Sequence, residues 1–430
     1  MTPARSLLCA LARSFLAGEQ TAEAIAARAA VTAGRDWSGF LPLATRYLVA
    51  FAAGTRPREA DVVCFLKEDR RLSRVRARLS VAQWISEPPR MQPVAAASGW
   101  GLPAIESIGA LCDWLWLDPE KLDWFADLKG LCRRRAAQAL QHYHYRALSK
   151  PDGGVRLIEC PKRRLKSIQR QVLSEILDRV PAHPAAHGFA RGRSIRSFAR
   201  PHTARRVVLR LDLRNFFPSF QRPRIQAFFR TVGYPESVAD YLGGLCTNAV
   251  PRGVLAGIAS DARSIYKWPH LPQGAPTSPA LANLCSYRMD CRLAGLAASA
   301  GAAYTRYADD LAFSGNGEFD RRVERFSAHA VAIMLEEGFD VNHRKTRIMR
   351  QGARQHLAGL TVNACLNVKR QDFDRLKAIL TNCVHYGPKS QNRDAHPDFR
   401  SHLEGRVGFV ESIHPARGKR LRMLLDRIPW

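Results

Sequence analysis

The spacing of hydrophobic positions changes near residue 140, and the change divides the chain. Before it, apolar residues recur at helical intervals: Leu8, Leu11 and Phe15, then Ala24 to Ala30, then Tyr47 to Phe51, broken by Gly and Arg. This predicts a mainly helical region over 1–135. Within it, Lys67 to Arg78 is dense in charge and reads as a solvated helix face or a contact for RNA. Residues 87–103, rich in Pro, Gly and Ala, read as a linker. Trp114, Trp116, Trp124 and Phe125 read as a small helical core.

From Tyr143 alternation takes over. Tyr143 to Leu148 and Val155 to Ile158 flank Pro151-Asp152-Gly153-Gly154, a turn that predicts a β-hairpin. The next segment carries Leu165, Ile168, Val172 and Ile176 on one helix face, with Lys162, Arg163, Lys166 and Arg170 available to the other. Such a helix has a basic side suited to a phosphate backbone. Val207, Leu209, Leu211 and Leu213 then share one strand face, leaving Asp212 on the opposite one. Asp309 and Asp310 stand between two apolar, aromatic runs, at or beside the tip of a second hairpin. Adjacent extended residues face opposite ways, so these two acids have different roles. Val250 to His270 reads as a surface insertion, and Val368 to Trp430 as a basic helical segment.

Composition adds a partner. Of 430 residues, 46% are hydrophobic and 24% charged, which fits two or three globular domains and excludes disorder. Lys and Arg number 66 against 38 Asp and Glu, and the resulting +28 points to nucleic acid. Ten cysteines without a Cys-x-x-Cys pair argue against a zinc ribbon and for free thiols in a reducing cytosol. The apolar run Leu7 to Ala12 is short for a secretion signal, and no stretch reaches membrane-span length. The expectation is a cytoplasmic protein with no membrane partner.

An Asp-Asp pair in a turn is commonly solvated loop chemistry. Set on a strand adjoining Asp212, Asp309 would instead complete a cluster for hard divalent cations, as two-metal phosphoryl transfer requires.

Tyr307-Ala308-Asp309-Asp310 resembles the catalytic box of reverse transcriptases. Leu271-Pro272-Gln273-Gly274-Ala275-Pro276-Thr277-Ser278-Pro279 resembles the family's nucleotide-contacting box, and both follow the Asp212 strand in the family's order. His187-Gly188-Phe189-Ala190-Arg191-Gly192-Arg193-Ser194-Ile195, Phe216-Phe217-Pro218-Ser219 and Tyr304-Thr305-Arg306-Tyr307 give the resemblance a bacterial, retron-type character. It runs from about Tyr143 to the C-terminus. It implies an α+β right-hand polymerase: fingers and palm over 136–350, then the palm edge and a helical thumb over 351–430, after the helical N-terminal extension.

The resemblance also implies residue roles. Asp212 and Asp309 would hold two Mg²⁺ ions, with Asp310 supporting the metal site. Arg156 and Lys150 would meet the triphosphate of a dNTP. Phe217 would close on the sugar and select dNTPs over rNTPs. Gln273 would contact the nucleotide, and Gly274 would let the backbone approach. Lys345 resembles a lysine that protonates the departing pyrophosphate, and it reads equally as a solvated strand lysine. Arg191 and Arg193, beside Gly192, would grip template phosphates. Two retron signatures are present in degenerate form: Phe198-Ala199-Arg200-Pro201-His202 for Asn-Ala-x-x-His, and Leu357-Ala358-Gly359 for Val-Thr-Gly. The first makes His202 a candidate RNA contact.

A retron-type enzyme would use a bound structured non-coding RNA as template and as primer, starting from a guanosine 2′-hydroxyl. Its product would be RNA-linked single-stranded DNA (msDNA), with a role in antiphage defence and a toxin or effector protein as partner. The alternatives are an orphan defence-associated reverse transcriptase without msDNA, and a non-catalytic RNA-binding scaffold. Intact Asp212, Asp309, Asp310 and Gln273 argue against the scaffold.

Overall fold

A computed structural model describes residues 3–51, 57–85, 90–134, 140–149, 154–258 and 263–430. The chain divides into two compact units: 1–129 with 225–245, and 130–224 with 246–430. Residues 225–245, which sequence spacing left with the polymerase segment, group with the N-terminal unit.

The first unit is helical. Helices Pro3–Leu16, Ala22–Ala33, Phe40–Ala50 and Glu59–Glu68 bury Leu11, Phe15, Ile25, Leu43, Tyr47 and Val62 in one core. Thr21 caps the second helix through Ala24 N–H, and Gly34, at φ +61°, ends it in the left-handed conformation. The proposed linker is not free. Gln92 N–H donates to the Gly233 carbonyl (2.8 Å), and the Tyr234 hydroxyl donates to the Pro103 carbonyl (3.2 Å); residues 86–89 lie outside the described set. The tryptophan core is also corrected. Helices Ile108–Leu115 and Pro119–Ala126 bury Leu111, Leu115, Leu122 and Ala126, pairs spaced i, i+4 on one face. Trp116 falls one residue past a helix end, at φ +54°, and is 85% exposed.

The second unit is built on a sheet. Strands β1 (Tyr143–Ser149) and β2 (Val155–Pro161) pair antiparallel as the expected hairpin; Lys150 and the turn residues Pro151, Asp152 and Gly153 lie outside the described residues. The central sheet has the order β4 (Ala303–Tyr307), β5 (Asp310–Gly315), β3 (Val207–Arg214), β6 (Asp340–Val341), with β7 (Arg347–Arg350) also on β3. Val207, Leu209, Leu211 and Leu213 are all buried, as their alternation predicted. Helix Gly317–Glu336 sets Phe326 edge-on to Phe313 of β5 at 5.1 Å. The short pair β8 (His356–Leu357) and β9 (Leu360–Thr361) leads to three helices, Arg370–Tyr386, Phe399–Ile413 and Pro415–Leu425. Their buried Leu376, Leu380, Leu403, Val407 and Leu421 join Val208, Ala312 and Leu357 in one core. The architecture is α+β, with a helical region ahead of the sheet.

One expectation fails here. Val250 to His270 is no mere surface insertion. Ile258 and Tyr266 are buried against Leu157 of β2, whose N–H donates to the Tyr266 hydroxyl (3.1 Å).

Candidate active site

The ladder sets the geometry of the acids. Asp212 lies directly across from Asp310, and Tyr307 pairs with Asp310, so Ala308 and Asp309 form the hairpin tip. Ala308 adopts φ +55°, a left-handed value a non-glycine residue keeps only when its surroundings impose it. Leu213 N–H donates to the Asp309 carbonyl (2.9 Å), tying the tip to the Asp212 strand. Asp212 is 3% exposed, and Lys345 Nζ reaches its Oδ2 at 3.2 Å. Burial pushes Asp309 up to about 6, and the neighbouring Asp310 and Asp212 push the same way. Burial also raises Asp310, against the pull of Arg210.

Asp310 is held by an ion pair. Arg210 donates to its Oδ1 from Nε (2.8 Å) and from Nη2 (2.5 Å). Arg210 stands two residues before Asp212, hence on the same strand face, and reaches diagonally to Asp310. The acid is thereby committed to an ion pair and does not line the cavity that Asp212 and Asp309 face. Among the described residues no group of three or more His, Cys, Asp or Glu forms a metal cluster.

A buried charge network lies behind the tip. Arg306 and Asp290 are both fully buried, joined by bonds of 2.8 and 2.6 Å. Arg306 also donates to Asn283 Oδ1 (3.0 Å) and to the Ala308 carbonyl (3.2 Å). Asn283 donates in turn to the Gly188 carbonyl (2.7 Å). A Cβ on Gly188 would stand 2.5 Å from the Ala308 nitrogen, so only glycine admits this approach.

A cavity of about 810 Å³ opens in front of Asp212 and Asp309, and Arg156, Phe189, Phe217, Gln273 and Lys345 line it. Phe217 is half-buried, 5.6 Å from the Phe216 ring and 6.0 Å from that of Phe189. Gly274, at φ +134°, passes so close to β2 that a Cβ would meet the Glu159 carbonyl at 3.0 Å. Glu159 N–H donates to the Gln273 carbonyl (2.9 Å). The Glu159 carboxylate, wholly buried, takes His270 Nε2 at 2.9 Å and Asn248 Nδ2 at 2.6 Å. Burial opposes a charge on His270, but Glu159 and the Trp268 carbonyl outweigh it and raise its pKa.

Of the proposed nucleic-acid contacts, Arg170, Arg191 and Arg193 are exposed, while Lys162 and Lys166 are half-buried at the helix Arg163–Glu175. Gly192 takes φ +73° between the two arginines. His202 does not belong with them. It is fully buried between Ser314 Oγ (2.7 Å) and Thr305 Oγ1 (2.8 Å), and burial, aided by Arg205 and His187, lowers its pKa to about 3. A neutral imidazole spent on two internal hydroxyls has no face left for RNA.

The comparisons with known proteins agree with this geometry. Residues 148–375 match the family model "Reverse transcriptase (RNA-dependent DNA polymerase)". Retron Ec73 reverse transcriptase of Escherichia coli is 31% identical over 66% of this chain and 87% of its own length. The chain belongs to the retron reverse transcriptase family. Retron Mx65 reverse transcriptase of Myxococcus xanthus is 43% identical over 67% of this chain, and retron Mx162 reverse transcriptase of the same organism 36% identical over 74%. The chain spans just under two-thirds of those two relatives, 65% and 66% of their lengths.

Family membership carries divalent-metal catalysis with it. The residues present fit a hard cation. Asp212 and Asp309 offer oxygen donors at one cavity wall, and burial first, then the Asp310 and Asp212 carboxylates beside it, disfavours the charge on Asp309, a penalty that a bound divalent cation relieves. No helix among the described residues is long and apolar enough to cross a membrane.

Proposed function

We propose that this retron reverse transcriptase copies a structured RNA into DNA at the cavity between β3, the β4–β5 tip and the Gln273 segment. One observation carries the reading: Asp212 and Asp309 share that cavity with Phe217, Gln273 and Arg156, the groups that sugar selection, nucleotide contact and triphosphate binding need. Asp212 and Asp309 would hold two Mg²⁺ ions. When bound, they would activate the primer hydroxyl and neutralise the triphosphate. The chain's own part is positioning and charge. The ion pair with Arg210 keeps Asp310 as a scaffold for the tip. Arg156, exposed on β2, faces the triphosphate, and Lys345 offers a proton or a charge to the departing pyrophosphate. Phe217 meets the sugar at C2′ and favours dNTPs.

The template and first primer would be a structured non-coding RNA, extended from a guanosine 2′-hydroxyl to RNA-linked DNA. Identity of 43% to a protein named as a retron reverse transcriptase supports this. A role in phage defence, with an effector partner, follows from the same kinship.

Asp309→Asn tests the chemistry: extension of a primed RNA template should fall by more than about 100-fold, and wild-type extension would sink the reading. The retron product is tested by purifying the chain expressed with its native upstream DNA. A DNA that shortens with RNase and leaves a DNase-sensitive core supports msDNA; RNA alone favours an orphan defence enzyme.

A further inference from the structure

We propose that the arginine strip from Arg70 to Arg78, in the N-terminal unit, is a docking surface for RNA phosphates. Asp69 starts it: its carboxylate caps helix Arg70–Val75 through the N–H groups of Arg71 (3.0 Å) and Leu72 (2.8 Å). A 3₁₀ turn, Arg76–Arg78, continues the strip. Leu72 is fully buried in the helical core, and Val75 and Leu79 pack against that core. This fixes which side looks outward. Arg70, Arg71, Arg74 and Arg78 are exposed, and Arg76 is half-buried.

The contrast with neighbouring arginines is the central observation. In the same unit Arg13 pairs with Glu59, Arg46 with Asp69 and Arg58 with Asp61. No ion pair joins any of the five strip arginines to an acid among the described residues. Asp69, the adjacent acid, is already shared between the cap and Arg46. Like charges spaced i, i+4, as at Arg70 and Arg74, work against the helix that carries them. A folded element that keeps such a row uncompensated is complementary to a polyanion.

Spacing and residue type narrow the partner. Five α-helical steps at about 1.5 Å and three 3₁₀ steps at about 2.0 Å span roughly 13 Å. One strand of a duplex carries a phosphate about every 3.4 Å of axis, so the strip faces three or four phosphates with four exposed guanidinium groups. All are Arg, whose planar fork engages phosphate oxygens in pairs. A membrane surface fits less well, because Leu72 and Val75 are used in the core and only the small Ala77 is left exposed within the strip. The choice of RNA as the polyanion rests on the function proposed above; the strip itself lies outside the segment matched to the polymerase family.

The test uses the full chain and a labelled 40-nucleotide stem-loop RNA, with Kd measured from about 50 to 200 mM KCl. In R70Q/R71Q/R74Q/R78Q the slope of log Kd against log salt should become shallower by about 3, and affinity should fall at least about 30-fold at low salt. The melting temperature should not fall below the wild-type value, since all four side chains are exposed and their mutual repulsion is removed. The corresponding four-lysine variant should keep the salt slope while losing part of the affinity. An RNA affinity and slope within twofold of wild type would overturn the proposal. So would unchanged RNA binding with lost binding to vesicles of anionic lipid. The two readings fail separately: the strip is scored on RNA affinity and salt slope, and the polymerase reading on primer extension by the wild-type chain, so a failed polymerase reading leaves the strip's result intact.

Discussion

Removing the Asp290 carboxylate should expose how much the catalytic tip depends on the buried pair behind it. In Asp290→Ala, Arg306 stays fully buried and keeps no charged acceptor among the described residues, only Asn283, the Ala308 carbonyl and the Tyr304 hydroxyl. Breaking a buried ion pair from one side costs about 3–5 kcal/mol, because the remaining charge is uncompensated. At roughly 2 °C per kcal/mol for a unit of this size, melting should fall by about 6–10 °C. Replacing both partners, Asp290→Leu with Arg306→Met, should recover most of that loss, since an apolar pair needs no compensation. Activity should part company with stability in the double variant. The Ala308 carbonyl has lost its donor, so the left-handed tip that carries Asp309 is held by the Leu213 bond without its second tie, and single-nucleotide extension should stay depressed. The assays are thermal melting by circular dichroism and pre-steady-state extension of a primed RNA. A melting change under about 2 °C in Asp290→Ala would refute the energetic argument. Full extension by the double variant would refute the positioning argument.

Glu159→Gln leaves His270 buried beside a neutral amide, and the segment bearing Gln273 should loosen; KM for dNTP should rise several-fold more than kcat falls. Phe217→Ala should raise rNTP use relative to dNTP by about 10–100-fold, read by competitive incorporation. His202 should make the fold acid-sensitive. Its folded pKa of about 3 lies below the ordinary 6.5, so its stabilisation is complete above pH 6.5. Stability should then decline as pH falls toward 3, by up to about 1.4 kcal/mol per pH unit. His202→Asn should flatten that part of the melting–pH curve relative to wild type, and an unchanged slope would refute the assignment. Lys345→Ala removes the cation at 3.2 Å from Asp212 and should slow extension while leaving RNA affinity within twofold.

What could be read from the sequence follows physical lines. Alternation at Val207, Leu209, Leu211 and Leu213 gave the strand and the face of Asp212, because a two-residue period survives any tertiary context. The hairpin tip at Ala308 and Asp309 was legible for the same reason. The partners of buried charges were not. Arg306 and Glu159 each sit inside an apolar strand, and that is a signal: a charge in such a run must find a counter-charge. The sequence names the need without naming Asp290 or His270, which arrive from 16 and 111 residues away. The partner of Asp310 was not legible, because strand alternation separates it from Asp309 but does not say what it faces; Arg210, two residues before Asp212, decides that. His202 was misread. A motif match proposed an exposed contact, whereas the nearby Phe198 and Ala199 are themselves fully buried. Placed among them, a histidine is neutral and internally bonded, bracing the sheet at Thr305 and Ser314.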